Sequence, residues 1–269
     1  LLDEMCALGM SLVAISDHDT LAGYRELRAC GRLRTGAPGP RVLPAIEINS
    51  IASHAPDLPE GELHILGLGV DPEDEALEAA LDRQRAARAA RIASIVGCLA
   101  DLGVAVDDHL AETLPADVAS AGRPHLARAL IRAGHAATVS EAFDRFLSPG
   151  RPAYRPGLGM DTRAAIDLIR GAGGIPVLAH FSLAPSRPEV VSQLQDWGLV
   201  GLEVYYSKWD ASTVAEMAAT AEAQGLLATA GTDFHGDVAG YPATAALVRP
   251  PADLADRVLG ALDRRSVVL

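Results

Sequence analysis

Lysine is nearly absent from this chain of 269 residues: Lys208 is the only one, and arginine supplies the rest of the positive charge. Lys and Arg total 23 against 35 Asp and Glu, giving a formal charge of −12 and a pI near 5.0. That balance argues against unspecific wrapping of nucleic acid, although a local basic pocket for a phosphate stays open. Cysteine is also scarce. Cys6, Cys30 and Cys98 are scattered with no CxxC pair, so neither a disulfide framework nor a zinc ribbon is indicated. No run approaches the roughly 18 apolar residues of a membrane span, and no basic-then-apolar signal segment opens the sequence. The expectation is a soluble, cytoplasmic protein with no membrane partner. Aromatics make up only 4%, yet 49% of the residues are apolar, enough for a large core.

What is present is more telling. Ser16-Asp17-His18-Asp19-Thr20 follows the apolar run Leu12-Val13-Ala14-Ile15, and Gly231-Thr232-Asp233-Phe234-His235-Gly236 follows Leu226-Leu227-Ala228-Thr229-Ala230. Each run reads as a buried strand, so each motif places an imidazole and carboxylates at a strand tip. Parallel α/β folds gather their chemistry there.

Strand and helix patterns alternate, which points to βα units and a parallel sheet. A helix at 1–8 ends at Gly9; strand 11–16, a helix over about 20–33 and strands 41–48 and 62–69 follow. After a gap come strand 175–180, helix 186–197, strand 200–206, helix 211–224, strand 226–231, strand 244–248 and a helix near 252–262. Between 71 and 156 the rhythm is helical. Asp71-Pro72-Glu73-Asp74 starts a helix, and Leu77, Leu81, Ile92, Ile95, Val96, Leu99 and Leu102 carry its apolar stripe to Gly103. Shorter helices are expected near 124–134 and 139–147. The predicted organisation is therefore a barrel formed by 1–70 and 157–269, with a helical subdomain inserted at 71–156. A helix at residue 1 is odd in such a fold, where each helix follows a strand, so a strand is expected to precede Leu1.

The predicted strands present ligand-type groups one after another: Asp17, His18 and Asp19; Glu47; His64; His180; Glu203; then Asp233 and His235. Any one could be a satisfied core residue, and for a lone histidine that is the better reading. Six strands doing so together point to a metal site. A buried Glu47 in Pro44-Ala45-Ile46-Glu47-Ile48 needs a cation or strong donors.

These residues carry a resemblance. Ile15 to Thr20, Pro44 to Ile48, His64-Ile65-Leu66-Gly67, Val177-Leu178-Ala179-His180 and Gly231 to Gly236 resemble the PHP (polymerase and histidinol phosphatase) superfamily. Gly122-Arg123-Pro124-His125-Leu126-Ala127-Arg128 and Arg151-Pro152-Ala153-Tyr154 look like its branch of nucleoside 3′,5′-bisphosphate phosphatases and a 5′→3′ exoribonuclease. The resemblance implies an α/β fold, a distorted seven-stranded βα barrel around up to three divalent metal ions. By that likeness Glu47 bridges two metals, His64 and His180 complete a third site with it, Asp233 sits on the first metal, and His18 and His235 on the second. Asp17 and Asp19 would orient His18. Glu203 would be an outer group or pair with a backbone amide.

The family opens with a strand carrying His-x-His, followed by Ser-Asp-Gly; this sequence has neither, which matches the strand expected before Leu1. By the same likeness the first metal would keep Glu47 and Asp233, the second His18 and His235, and the third, with Glu47, His64 and His180, would be the most nearly complete. The resemblance thus implies a PHP-like barrel lacking its first strand in this sequence, through a misassigned or truncated start or through loss of the first metal.

Clustered divalent ions suit phosphoester hydrolysis, because they acidify a water, fix the phosphate and offset charge on the leaving oxygen. Ligands without thiolate favour Mn, Fe, Zn or Mg. The expected reaction is in-line attack by metal-activated hydroxide on a phosphate monoester of a small nucleotide. Short RNA is the alternative substrate, and a non-catalytic binding protein a further one. Arg123 and His125 would clamp a phosphate, Arg because its planar fork gives two parallel bonds; the plainer reading is a helix N-terminus with Pro124 at its first position and Arg123 in solvent. Tyr154 would stack on a base or pack in a hinge. Arg83, Arg85, Arg88 and Arg91 read as a solvated helix face, Trp209 beside Lys208 as core or pocket rim, and His54, His109 and His135 as surface positions.

Overall fold

The structure is a computed structural model describing residues 1–33, 39–53, 55, 58, 61–113, 122–235 and 240–266. His54 and Gly236, named above, lie outside the described residues. The chain divides into two compact units, one of Leu1–Asn49, Leu63–Leu77 and Thr162–Leu269, the other of Ser50–Glu62 and Glu78–Asp161.

The first unit holds most of a six-stranded sheet whose strands lie side by side in chain order. They are β1 (Leu12–Ile15), β2 (Arg41–Ile51), β3 (Glu62–Leu68), β4 (Ile175–Leu178), β5 (Gly201–Tyr206) and β6 (Leu227–Gly231). This is the partial βα barrel that the alternating pattern predicts. β1 pairs parallel with β2, and β4, β5 and β6 pair parallel with one another. The expectation of a wholly parallel sheet needs one correction. β3 runs antiparallel to β4, with Ile65 opposite Leu178 and Leu68 opposite Ile175. It also runs back along β2: the Gly69 amide donates to the Pro44 carbonyl at 2.8 Å, and the Ala52 amide to the Gly61 carbonyl at 2.8 Å. The start of β3 therefore lies at the edge of the sheet where its neighbours end.

Helices α1 (Leu2–Ala7) and α2 (Ala22–Ala29) flank β1 in the chain. α1 packs Leu2 and Met5 with Val13, Tyr241 and Ala245. A second cluster joins Leu43, Ala45, Leu66, Leu68, Ile175 and Val177 to Val258 and Ala261 of the C-terminal helix. The predicted strand at 244–248 is absent. Tyr241–Ala245 is helical and a turn follows. Pro242 in the first turn presets a helical φ, and Tyr241 and Ala245, one helical turn apart, both face the core, whereas Leu247 stays exposed.

Among the described residues, the regular structure of the second unit is helical apart from its strand ends. α3 (Glu75–Asp101) is the long helix expected from the apolar stripe; Leu77, Leu81, Ile92, Ile95 and Leu99 are buried, but Leu102 falls beyond its end and is exposed. α4 (Asp107–Thr113), α5 (Arg123–Arg132), α6 (Val139–Ala142) and a π-helical turn at Phe143–Leu147 follow. Ile95, Leu99, Val106, Leu126, Leu130 and Leu147 form its core. Arg91 corrects the solvated-face reading. It is only 8% exposed, its guanidinium lies 2.8 Å from Glu62, and it donates twice to the Arg155 carbonyl. Arg85 does keep the expected helix-face pairing, with Glu78 at 2.8 Å.

The remaining helices belong to the first unit: α7 (Thr162–Gly171), α8 (Pro188–Asp196), α9 (Ala211–Ala223), α10 (Tyr241–Ala245) and α11 (Leu254–Ser266). The Asp210 carboxylate caps α9 by accepting from the Thr213 amide at 2.8 Å.

Candidate metal centre

The segment after β1 locks onto β2 through its backbone. His18 and Glu47 form an isolated parallel bridge, the Asp19 amide donates to the Glu47 carbonyl at 2.9 Å, and the Glu47 amide to the Asp17 carbonyl at 3.1 Å. Possessing both bonds, Glu47 is fixed in register with His18. One ligand atom from each of His18, Glu47 and His64 lies within 4.8 Å of the others. Two ligands of one ion at about 2.1 Å each stand up to about 4 Å apart, so little movement is needed for all three to share it.

His64 reaches the cluster because β3 is reversed. It lies near the start of that strand, and its carbonyl accepts from the Ala179 amide at the end of β4. Its Nδ1 is 2.6 Å from Glu47 Oε1. His180, just past β4, places Nε2 3.1 Å from the same oxygen. The rings of His64 and His180 meet edge-on at 4.8 Å, those of His18 and His64 at 5.2 Å, and those of His18 and His235 at 5.8 Å. Five of the six predicted ligands are thus linked ring to ring or to one carboxylate. The sixth, Asp233, joins through His235, whose Nδ1 lies 3.2 Å from its Oδ1.

The electrostatics follow from this crowding. Burial opposes charge on Glu47, but His18, His180 and His64 hold its carboxyl well below the usual carboxylate range. Burial lowers the basicity of His180 while its bond to Glu47 raises it, and the net direction is up. A single carboxylate oxygen facing two ring nitrogens wants positive charge between them. A divalent ion meets that need with the rings neutral, and imidazole with carboxylate is a donor set that fits one.

Glu203 is buried, and its Oε2 accepts from the His180 amide at 2.7 Å. Of the two roles open in the sequence, the structure shows the pairing with a backbone amide. Burial pushes this carboxyl up to about 7, against the opposing pull of His180. β5 carries an irregularity: Glu203 is opposite Thr229, but Tyr205 is opposite Ala230. That extra residue lets both Glu203 and Tyr206 reach the cluster from one strand, despite a spacing that a regular pleat would split between faces. Tyr206 donates its hydroxyl to Asp233 Oδ2 at 2.7 Å, and burial with that bond pushes its own pKa up. Sequence reasoning missed Tyr206, because two adjacent tyrosines in an apolar strand carry no polar signature.

Asp17 and Asp19 have separate surroundings. The Asp17 carboxylate accepts from the Gly23 amide at 2.8 Å and so anchors the start of α2; burial raises its pKa. Asp19 is fully buried. Among the described residues, the non-glycine positions with positive φ are Asp19 (52°), His180 (32°) and Asp233 (48°). His180 and Asp233 belong to this cluster, and Asp19 adjoins it through its amide bond to the Glu47 carbonyl. Left-handed backbone costs energy for residues with a Cβ, and such outliers gather where function dictates the conformation.

Arg123, His125 and Tyr154 lie in the helical unit. The Arg123 guanidinium is 5.6 Å from the Phe143 ring, 6.0 Å from the Tyr154 ring and 3.7 Å from Glu62. His125 Nδ1 accepts from the Gly122 amide at 3.2 Å, which ties down the first turn of α5. The plainer reading is right about the helix start but needs two corrections: Pro124 is the second helical residue, and Arg123 is only 12% exposed, held by Glu62 and the two rings.

No family model matches the chain. It is 30% identical over 239 residues to a 3′,5′-nucleoside bisphosphate phosphatase of Chromobacterium violaceum, covering 87% of this chain and 80% of that protein. It is 28% identical to a 5′-3′ exoribonuclease of Haemophilus influenzae, covering 85% of this chain and 81% of that one. A solved structure from Bifidobacterium adolescentis, described as a candidate metal-dependent phosphoesterase, superposes with a TM-score of 0.78 at 29% identity, covering 96% of this chain and 88% of that one.

Proposed function

The chain belongs to the PHP superfamily of the bisphosphate phosphatase, and from that premise we propose that it is a metal-dependent phosphoesterase releasing phosphate from a small nucleotide, such as a nucleoside 3′,5′-bisphosphate. The observation that carries this reading is the convergence of His18, Glu47 and His64, with His180 on the same Glu47 oxygen. Divalent ions, up to three and with manganese as our choice, would be held by His18, Glu47, His64, His180, Asp233 and His235. When bound they lower the pKa of a water, fix the phosphate and offset charge on the leaving oxygen.

The protein's own part is to hold these groups still. Glu203 clamps the His180 amide, the bridge between His18 and Glu47 fixes two strands in register, and the Asp17 carboxylate and the Asp19 backbone amide secure the loop that carries His18. We assign substrate binding to Arg123, His125 and Tyr154; a guanidinium lying against two aromatic rings suits phosphate recognition. No helix among the described residues is long and apolar enough to cross a membrane. The free thiols of Cys6, Cys30 and Cys98 suit a reducing, cytoplasmic setting.

Phosphate release from adenosine 3′,5′-bisphosphate by the full-length, manganese-loaded protein tests the reading, and no release removes it. The likeness to the Haemophilus 5′-3′ exoribonuclease supports a second substrate, short RNA. The charge of −12 favours the smaller one, and the two compared at equal concentration decide.

A further inference from the structure

We propose that Lys208 is a built-in cation of the metal centre: its ammonium takes the Asp233 side of the cluster, so that the centre binds one divalent ion fewer while Lys208 is in place. The inference rests on the metal-centre reading above and concerns how much of its positive charge the chain itself supplies.

Lys208 Nζ lies 2.7 Å from Asp233 Oδ2, the oxygen that also accepts from the Tyr206 hydroxyl at 2.7 Å. Oδ2 thus has both of its lone-pair directions taken. The other oxygen, Oδ1, faces His235 Nδ1 at 3.2 Å. An ion coordinated by Oδ2 would approach to about 2.1 Å and stand against the ammonium, like charge on like. Either Lys208 leaves or the ion does not bind there.

The position of Lys208 is set by the turn that carries it. Ser207 donates its amide to the Gly231 carbonyl at 3.2 Å and its hydroxyl to the Thr232 carbonyl at 2.8 Å, tying the end of β5 to the end of β6. The Trp209 amide closes back on the Tyr206 carbonyl at 3.2 Å, and Asp210 then caps α9. The ammonium also lies 5.6 Å from the centre of the Tyr206 ring, whose other neighbours are His180 at 5.8 Å and Trp209 at 5.1 Å. An isolated surface pair would count for little. Here Asp233 is only 16% exposed and holds a left-handed backbone, so the partner that reaches it is chosen by the fold.

The test is a count of Mn2+ bound per chain at one free Mn2+ concentration, for the wild type and for Lys208→Met. The variant is expected to hold one ion more. Because Lys208 is the chain's single lysine, acetylating the folded wild type, with the site confirmed by mass spectrometry, removes the same charge without a new sequence and is expected to give the same gain. An equal, non-zero count in all three forms overturns the proposal and leaves the metal centre intact. No bound Mn2+ in any form overturns both.

Discussion

His64 Nδ1 and Glu47 Oε1 are 2.6 Å apart, and a reversed strand is what brings them together. His64 stands near the beginning of β3, whereas His180 and Asp233 stand just beyond the ends of β4 and β6. Only because β3 runs against its neighbours does its start share the edge where their ends lie. Glu47 is the hub of this arrangement, since the same oxygen also faces His180.

Replacing that hub should empty the centre. Glu47→Gln keeps the shape but removes the charge, and bound Mn2+ and phosphate release should each fall by at least about a hundredfold, beyond what loss of an outer partner costs. Metal analysis of the purified variant, beside wild type prepared in parallel, checks this; retention of the full metal content would contradict it.

Metal should also support the fold of the first unit. An ion that binds the native state at about a hundred times its Kd adds about 2.7 kcal/mol. Thermal unfolding followed with and without a chelator should therefore show the transition several degrees lower once metal is removed. An unchanged transition would speak against a centre coupled to folding.

Gly231 has no room for a side chain. A Cβ there would lie 1.8 Å from Glu203 Oε1, and Glu203 is buried and engaged by the His180 amide. Gly231→Ala should destabilise the protein by about 1–3 kcal/mol and weaken metal binding through His180. Denaturant unfolding together with Mn2+ titration reads both effects.

Glu203 gives a pH prediction for the chelated protein. Its folded pKa is raised from 4.5 to about 7, so the unfolded chain releases this proton first. Stability should therefore fall as pH rises from about 4.5 through about 7, and level off above. Glu203→Gln cannot ionise, so its stability relative to wild type should climb over that same interval. Parallel unfolding curves at pH 5 and pH 8 with a constant offset would refute this.

Gly97 offers the opposite case to Gly231. It is exposed in the interior of α3, and an added Cβ would meet nothing within 4 Å. Gly97→Ala should stabilise the protein by about 0.5–1 kcal/mol, because glycine loses the most backbone freedom on entering a helix. A denaturant midpoint at or below that of wild type would count against it.

The sequence made the βα alternation legible because periodicity in apolar residues reports burial directly. His18, His180 and Asp233 stood out for the same reason: each breaks an apolar strand at its tip. The strand expected at 244–248 failed because Ala245, Ala246, Leu247 and Val248 suit either structure, and Pro242 with the packing of Tyr241 settled it. Arg91 looked like its neighbours on a charged helix, and its buried bonds to Glu62 and to the Arg155 carbonyl set it apart. Tyr206 was hidden because its reach depends on the irregular pairing of β5.

Local chemistry along the chain thus determined most of the strands and helices, the segment at 241–248 excepted, and which residue types close the strands. Strand direction lies outside that information, since a buried strand has the same two-residue period whichever way it runs. The reversal of β3, the left-handed backbone at Asp19, His180 and Asp233, and the partnership of Lys208 with Asp233 were decided by tertiary packing. Each depends on contacts between residues far apart in the chain, which no local pattern encodes.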